Sequence, residues 1–180
     1  MNGGGSRLAV PVGADDHAQG PDDVAITLVE YGDYECPYCG QAFPIVQELQ
    51  RVFDTSLRLV FRNLPLSNVH PHAEGAAEAA EAVALQGKFW AMHDLLFQHQ
   101  RALRAESLLQ YAEEAGANAT QVAEVLARRG TRARVENDVE GALRSGANGT
   151  PTFFVNGSRY DQSWDFDTFR EFIQTELDRA

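Results

Sequence analysis

The chain holds two cysteines, Cys36 and Cys39, with Pro37 and Tyr38 between them. Sulfur pairs at this spacing either exchange electrons as a dithiol or supply two ligands to a metal. Redox use requires one sulfur that ionises more readily than an ordinary thiol and a second within bonding reach. Residues three apart on a helix are neighbours, which meets the second requirement. The first is met if Cys36 stands at a helix start, where unpaired N–H groups and the positive end of the helix dipole favour a thiolate. Such sites bring a cysteine from a pKa of about 8.5 to roughly 3.5–7.5. Cys36 is then the attacking thiolate, and Cys39, a turn further in, the more buried resolving thiol. A mixed disulfide forms on Cys36 and is released by Cys39, or the reverse sequence delivers a disulfide. A zinc or iron-sulfur site wants about four ligands. With no second cysteine pair, His70, His72, His93 or His99 would have to complete one, so no metal ligand is assigned and a metal-binding or redox-sensing module without turnover stays as the alternative.

The elements that must position the pair are legible around it. Ile26, Leu28 and Val29 lie in an apolar run ending at Tyr31-Gly32, which predicts a buried strand. Cys36 to Phe53 places Phe43, Val46, Leu49, Gln50 and Phe53 at helical spacing, with Pro37 where a first-turn proline is tolerated. Leu57 to Leu64 predicts a second strand, which completes a βαβ unit. His72–Gln86, Lys88–Gln100 and Glu106–Ser145 read as a helical block, the last broken at Gly116 and Gly130. Thr152–Val155 returns to strand, Asn156-Gly157 signals a hairpin turn, Arg159-Tyr160 starts the partner strand, and Asp165 or Asp167 caps a final helix through Leu177. The predicted organisation is α/β: an irregular lead-in over 1–23, a βαβ half over 24–67, a helical insertion over 68–147, and a ββα half over 148–180.

Composition narrows the partners. At 180 residues and 44% hydrophobic content, the chain can bury its own core as one domain. A formal charge of −11, with 15 scattered Lys and Arg, argues against nucleic acid. The apolar stretches fall well short of the roughly 20 residues of a membrane-spanning helix. Met1–Ser6 is Gly-rich and the patch Leu8–Val12 is brief, which does not fit a secretory signal. The expected compartment is the cytoplasm, or the periplasm or exterior if a leader has been removed. Phe89, Trp90, His93, Leu96 and Phe97 form a stripe that reads as core. His70 and His72 flank Pro71 and suit chain entry and capping. Glu74, Glu78 and Glu81 share a helix face that reads as solvated, and Asp33 and Glu35 read as exposed loop acids opposing the dipole's effect on Cys36.

The stretch Val29–Cys39, reading VEYGDYECPYC, and the distant Gly149-Thr150-Pro151-Thr152-Phe153 resemble the DsbA-like branch of the thioredoxin superfamily. His70-Pro71-His72-Ala73 and Gln86–Asp94 are similar to the helical insertion of such proteins, including modules fused to sodium-proton antiporters. The resemblance implies a thioredoxin-like fold with an inserted all-helical subdomain; the dithiol after a strand and the matching Thr-Pro loop together lead to the expectation of a cofactor-free, monomeric enzyme exchanging disulfides with protein or small thiols. The resemblance further implies a cis Thr150–Pro151 peptide against the dithiol, whose backbone edge pairs with substrate, and Glu30 as a buried acid relaying a proton to or from Cys39. From the residues alone, Glu30 could equally face solvent, because strand register is not fixed by sequence. Pro37-Tyr38 also resembles glutaredoxins, whereas DsbA proper has a histidine in the second place. Tyr38 removes that charge, so a glutathione-dependent reductase is the nearest alternative, with glutathione among the candidate partners.

Overall fold

The computed structural model describes residues 6–180. The part of the lead-in before residue 6 lies outside the described residues. Five strands form one sheet in the order β1-β3-β2-β4-β5. β2 (Ile26–Gly32) lies at its centre, parallel to β3 (Leu57–Asn63) and antiparallel to β4 (Thr152–Val155), which pairs antiparallel with β5 (Ser158–Tyr160). β2 and β3 are buried on both faces, which is why they read as near-continuous apolar runs rather than as alternation. The β4–β5 turn is Asn156-Gly157, both at positive φ (48° and 77°), the two-residue conformation whose twist matches that of its strands.

α1 (Pro37–Phe53) and α7 (Phe166–Asp178) cover one sheet face, where Ile26, Leu28, Val46, Leu49, Phe153, Phe169 and Ile173 form one core. Asp165 caps α7 by accepting from the Thr168 N–H at 3.1 Å. Val29, Tyr31, Val60 and Phe154 line the other face beneath α6 (Arg132–Arg144). α2 (Ala73–Ala84), α3 (Phe89–Gln98), α4 (Ala105–Glu114) and α5 (Ala119–Ala127) complete the helical block. Its own core, with Met92, Leu96, Phe97 and Val122, runs continuously into Tyr34, Cys36 and Cys39. The insertion therefore forms a wall of the dithiol site. Among the described residues, no helix is long and apolar enough to cross a membrane.

Two expectations are corrected. The lead-in is not irregular throughout, since His17–Gln19 forms β1, antiparallel to β3, and Arg7 bridges to Ser158. The pairing uses main-chain groups along an edge that β3 would otherwise leave open, so it requires no β-branched side chains. The lead-in is fastened from below by Arg62, which donates to both carboxylate oxygens of Asp16 (2.7 and 2.9 Å) and to the carbonyls of Val10 and Pro11. The acidic face of α2 is the second correction. Glu78 and Glu81 are buried, because α2 packs against α3, α4, α5 and α6 and has little open surface left. Their charges are partnered as burial demands: Glu78 with Arg129, and Glu81 with His17 and the Asn63 side chain.

Candidate active site

Strand β2 delivers the chain to Gly32, and the next three residues turn it into α1. Cys36 is the N-cap in extended conformation (φ −69°, ψ 122°), and Pro37 occupies the first helical position, where its missing N–H costs no hydrogen bond. The Cys36 side chain makes no capping hydrogen bond at the helix start. The amides there are therefore free to face a sulfur.

Asp33 builds the turn. Its Oδ1 accepts from the N–H groups of Glu35 (2.7 Å) and Cys36 (3.1 Å), while Oδ2 accepts from the Leu66 N–H and pairs with His70 Nδ1, both at 2.8 Å. Glu35 likewise accepts from the His72 N–H at 2.6 Å and pairs with His72 Nδ1 at 2.8 Å. The expectation of two exposed loop acids is thus overturned. Asp33 is 1% exposed and Glu35 half-buried, because main-chain donors and two histidines surround them. His70 and His72 correspondingly serve the dithiol turn, and His72, the N-cap of α2, makes no side-chain capping bond. On the opposite side, Gln100 Nε2 donates to the carbonyls of Tyr34 and Cys36, each at 2.9 Å.

The two sulfurs occupy unlike environments. Cys36 is 3% exposed, its thiol directed to the Thr150 carbonyl at 3.5 Å. Its pKa is brought down to about 5, foremost by a hydrogen bond from the Cys39 thiol. Burial opposes this, and Thr150 and the N–H groups of Cys39 and Tyr38 assist it. Cys39 is fully buried, and burial, followed by the neighbouring Cys36 and Glu30, pushes its thiol well above the ordinary range, against a 3.4 Å contact from the Asp33 N–H.

Glu30 sits opposite Phe61 and Phe153 and shares a sheet face with Ile26 and Leu28. This register turns it inward. It is 2% exposed, its Oε1 has no hydrogen-bond partner among the described residues, and burial raises its pKa to about 8. It lines a cavity of about 360 Å³ with Gln19, Gln50, Trp90, His93 and Asp94. His93 is held neutral, its pKa pushed down to about 3 by burial and by His17, and its Nδ1 shares a 3.0 Å hydrogen bond with the Tyr34 hydroxyl.

Of the other residues singled out from sequence, Tyr38 is 62% exposed beside the dithiol. The Thr150–Pro151 peptide is cis, and the Thr150 hydroxyl is buried without a partner among the described residues. Sequence reasoning missed Gln100 and the anchoring use of Asp33. Gln100 carries no local signal, since it lies 64 positions from Cys36. Asp33 has one: a carboxylate three residues before a helix-opening residue is placed to accept the N–H groups of the entering turn.

A strand leading into a helix that opens on a dithiol, faced by a proline loop from an antiparallel strand, defines a thioredoxin-type protein. The sequence matches the thioredoxin family over residues 13–175, and the chain belongs to that family. In structure it is similar to oxidised BdbD from Bacillus subtilis (TM-score 0.83, 24% identity, 97% of each chain). A thioredoxin-like oxidoreductase from Silicibacter pomeroyi is also similar (TM-score 0.79, 29% identity, 93% of each chain). So is the thiol-disulfide exchange protein alpha-DsbA2 from Wolbachia pipientis (TM-score 0.76, 18% identity, 90% of this chain and 87% of that one). The fold is thus thioredoxin-like with a DsbA-like helical insertion, the fold of thiol-disulfide oxidoreductases. In sequence the chain is 53% identical over 161 residues to the Na(+)/H(+) antiporter NhaA 1 of Salinispora arenicola, covering 89% of this chain and 24% of that protein. It is 45% identical over 150 residues to the NhaA antiporter of Herminiimonas arsenicoxydans, covering 83% and 24%. The chain spans about a quarter of the length of these relatives.

Proposed function

We propose that this chain is a thiol-disulfide oxidoreductase in which Cys36 attacks and Cys39 resolves, acting on protein or small-molecule thiols and disulfides. The observation that carries this reading is the placement of the two sulfurs: Cys36 at the start of α1, its pKa held near 5, and Cys39 fully buried a turn further in, its thiol held above the ordinary range. At neutral pH one is a thiolate and the other a thiol, the division of labour that exchange requires.

In the reducing direction, the Cys36 thiolate attacks one sulfur of a substrate disulfide, forming a mixed disulfide and expelling the other sulfur as a thiolate. Cys39 then loses its proton and attacks Cys36 Sγ, which closes the Cys36–Cys39 disulfide and releases the second substrate thiolate. Glu30 is suited to take the proton, since its raised pKa lets it exist in both forms near neutrality and its charge already weighs on Cys39. The Thr150 carbonyl beside Cys36 belongs to a backbone edge on which an extended substrate strand can pair. The oxidising direction reverses each step.

Turbidity measurement of insulin disulfide reduction by the pure chain tests the assignment. Cys36→Ser abolishes turnover, and Cys39→Ser accumulates mixed disulfides. Full activity in Cys36→Ser would contradict the reading. Exposed, uncharged Tyr38 between the cysteines supports a second reading, a glutathione-dependent reductase. Recycling by glutathione alone, without a protein reductant, distinguishes it.

A further inference from the structure

Resting on the proposed exchange chemistry is a question that the dithiol's immediate neighbours raise. Asp33 touches both cysteines: its carboxylate Oδ1 accepts the Cys36 N–H at 3.1 Å, and its main-chain N–H reaches Cys39 Sγ at 3.4 Å. Glu35 brings a second acid to the same turn. A buried anion this close opposes the formation of a thiolate. Tyr38, inside the dithiol loop, carries no charge to offset it.

The offset comes from outside the loop. His70 Nδ1 lies 2.8 Å from Asp33 Oδ2, with the ring 19% exposed and the Asp33 side chain fully covered. The position is built. The N–H groups of Val69 and His70 both return to the Leu66 carbonyl at 2.9 Å, and the Leu66 N–H binds the same Asp33 oxygen that meets the histidine. The second histidine, His72, is taken by Glu35 and is more exposed, at 40%.

We propose that His70 is a positioning residue for the dithiol: an imidazolium docked on Asp33 that cancels the buried negative charge beside Cys36 and thereby keeps that sulfur reactive. The groups whose charges bear on it are consistent. Partial burial disfavours its cation, and the hydrogen bond and charge of Asp33, with the charges of Cys36 and Glu35, overcome this and raise its pKa. Coupling between two sites is reciprocal, so whatever Cys36 does for the His70 proton, the His70 proton does for the Cys36 thiolate.

The test uses the full chain as wild type, His70→Gln and His70→Arg, with the Cys36 ionisation followed by ultraviolet thiolate absorbance and the dithiol equilibrium measured in glutathione buffers. His70→Gln lowers the Cys36 ionisation constant by about tenfold, one pKa unit. At neutral pH it shifts the equilibrium toward the protein's own disulfide by about the same factor, near 30 mV for a two-electron couple. His70→Arg, which keeps the charge, stays within about threefold of wild type, a rescue that a packing role would not give. A second measurement requires no variant: the His70 imidazole, followed by NMR, loses its proton at higher pH in the reduced protein than in the disulfide form. A folded His70→Gln with unchanged Cys36 ionisation, or an imidazole that titrates identically in both redox states, overturns the proposal while leaving the exchange chemistry standing. If wild-type Cys36 itself titrates as an ordinary thiol, the chemistry fails first.

Discussion

The side-chain amide of Gln100 occupies the space that a Cβ on Gly40 would need, so the glycine following Cys39 is what admits the clamp on the Cys36 carbonyl. Gly40 also donates its N–H to that carbonyl at 3.1 Å, as the first hydrogen bond of α1. The clamp and the helix start are thus one construction, and they fix where Cys36 points.

A double-mutant cycle tests this pairing. Gln100→Ala removes the donor to two carbonyls and costs about 1–2 kcal/mol in urea denaturation. Gly40→Ala, which forces the Gln100 side chain out, costs a comparable amount less the helical gain of alanine. In the Gln100→Ala background, Gly40→Ala becomes stabilising by about 0.5–1 kcal/mol, because the obstacle has gone and only the helical gain remains. Additive losses would contradict the pairing.

Glu30 gives the fold a pH dependence with a definite sign. Its folded pKa of about 8 lies above the ordinary value of 4.5, so between those limits the folded state holds a proton that the unfolded state has released. Stability from this group is fully present below pH 4.5 and is lost as pH rises toward 8. Cys36, depressed from 9 to about 5, contributes in the opposite direction over an overlapping range. The disulfide form removes that opposition. Oxidised wild type therefore loses about 4 kcal/mol relative to oxidised Glu30→Gln between these limits, measured by denaturant unfolding across the pH series. Parallel profiles would place Glu30 in solvent.

Arg62 ties the lead-in to the sheet. Arg62→Leu leaves the Asp16 carboxylate, 8% exposed, without its counter-ion and strands the carbonyls of Val10 and Pro11. The expected cost is about 3–5 kcal/mol. Limited proteolysis then cuts before β1 at far lower protease concentration than in wild type, and an unchanged cleavage pattern would mean that β1 holds the segment unaided.

The dithiol, its helix and the two halves of the sheet were legible because each leaves a local mark: a spacing, a first-turn proline, an Asn-Gly turn. What stayed hidden depends on partners distant in the chain. Asp33 and Glu35 read as solvated because acids in loops usually are, and their burial comes from the Leu66–His72 segment folding over them. Glu78 and Glu81 share a helix face, as their spacing requires, yet sequence does not show that α2 is enclosed by four other helices. The orientation of Glu30 waited on register, since a shift by one residue would have sent it to the opposite face of β2.

Most direct is the ionisation of Cys36 itself, read as the rate of iodoacetamide alkylation of the reduced protein against pH. The expected result is a half-maximal rate near pH 5, with Cys39 unmodified throughout the neutral range. A single titration in the ordinary thiol range, or equal reactivity of the two sulfurs, would contradict the assignment.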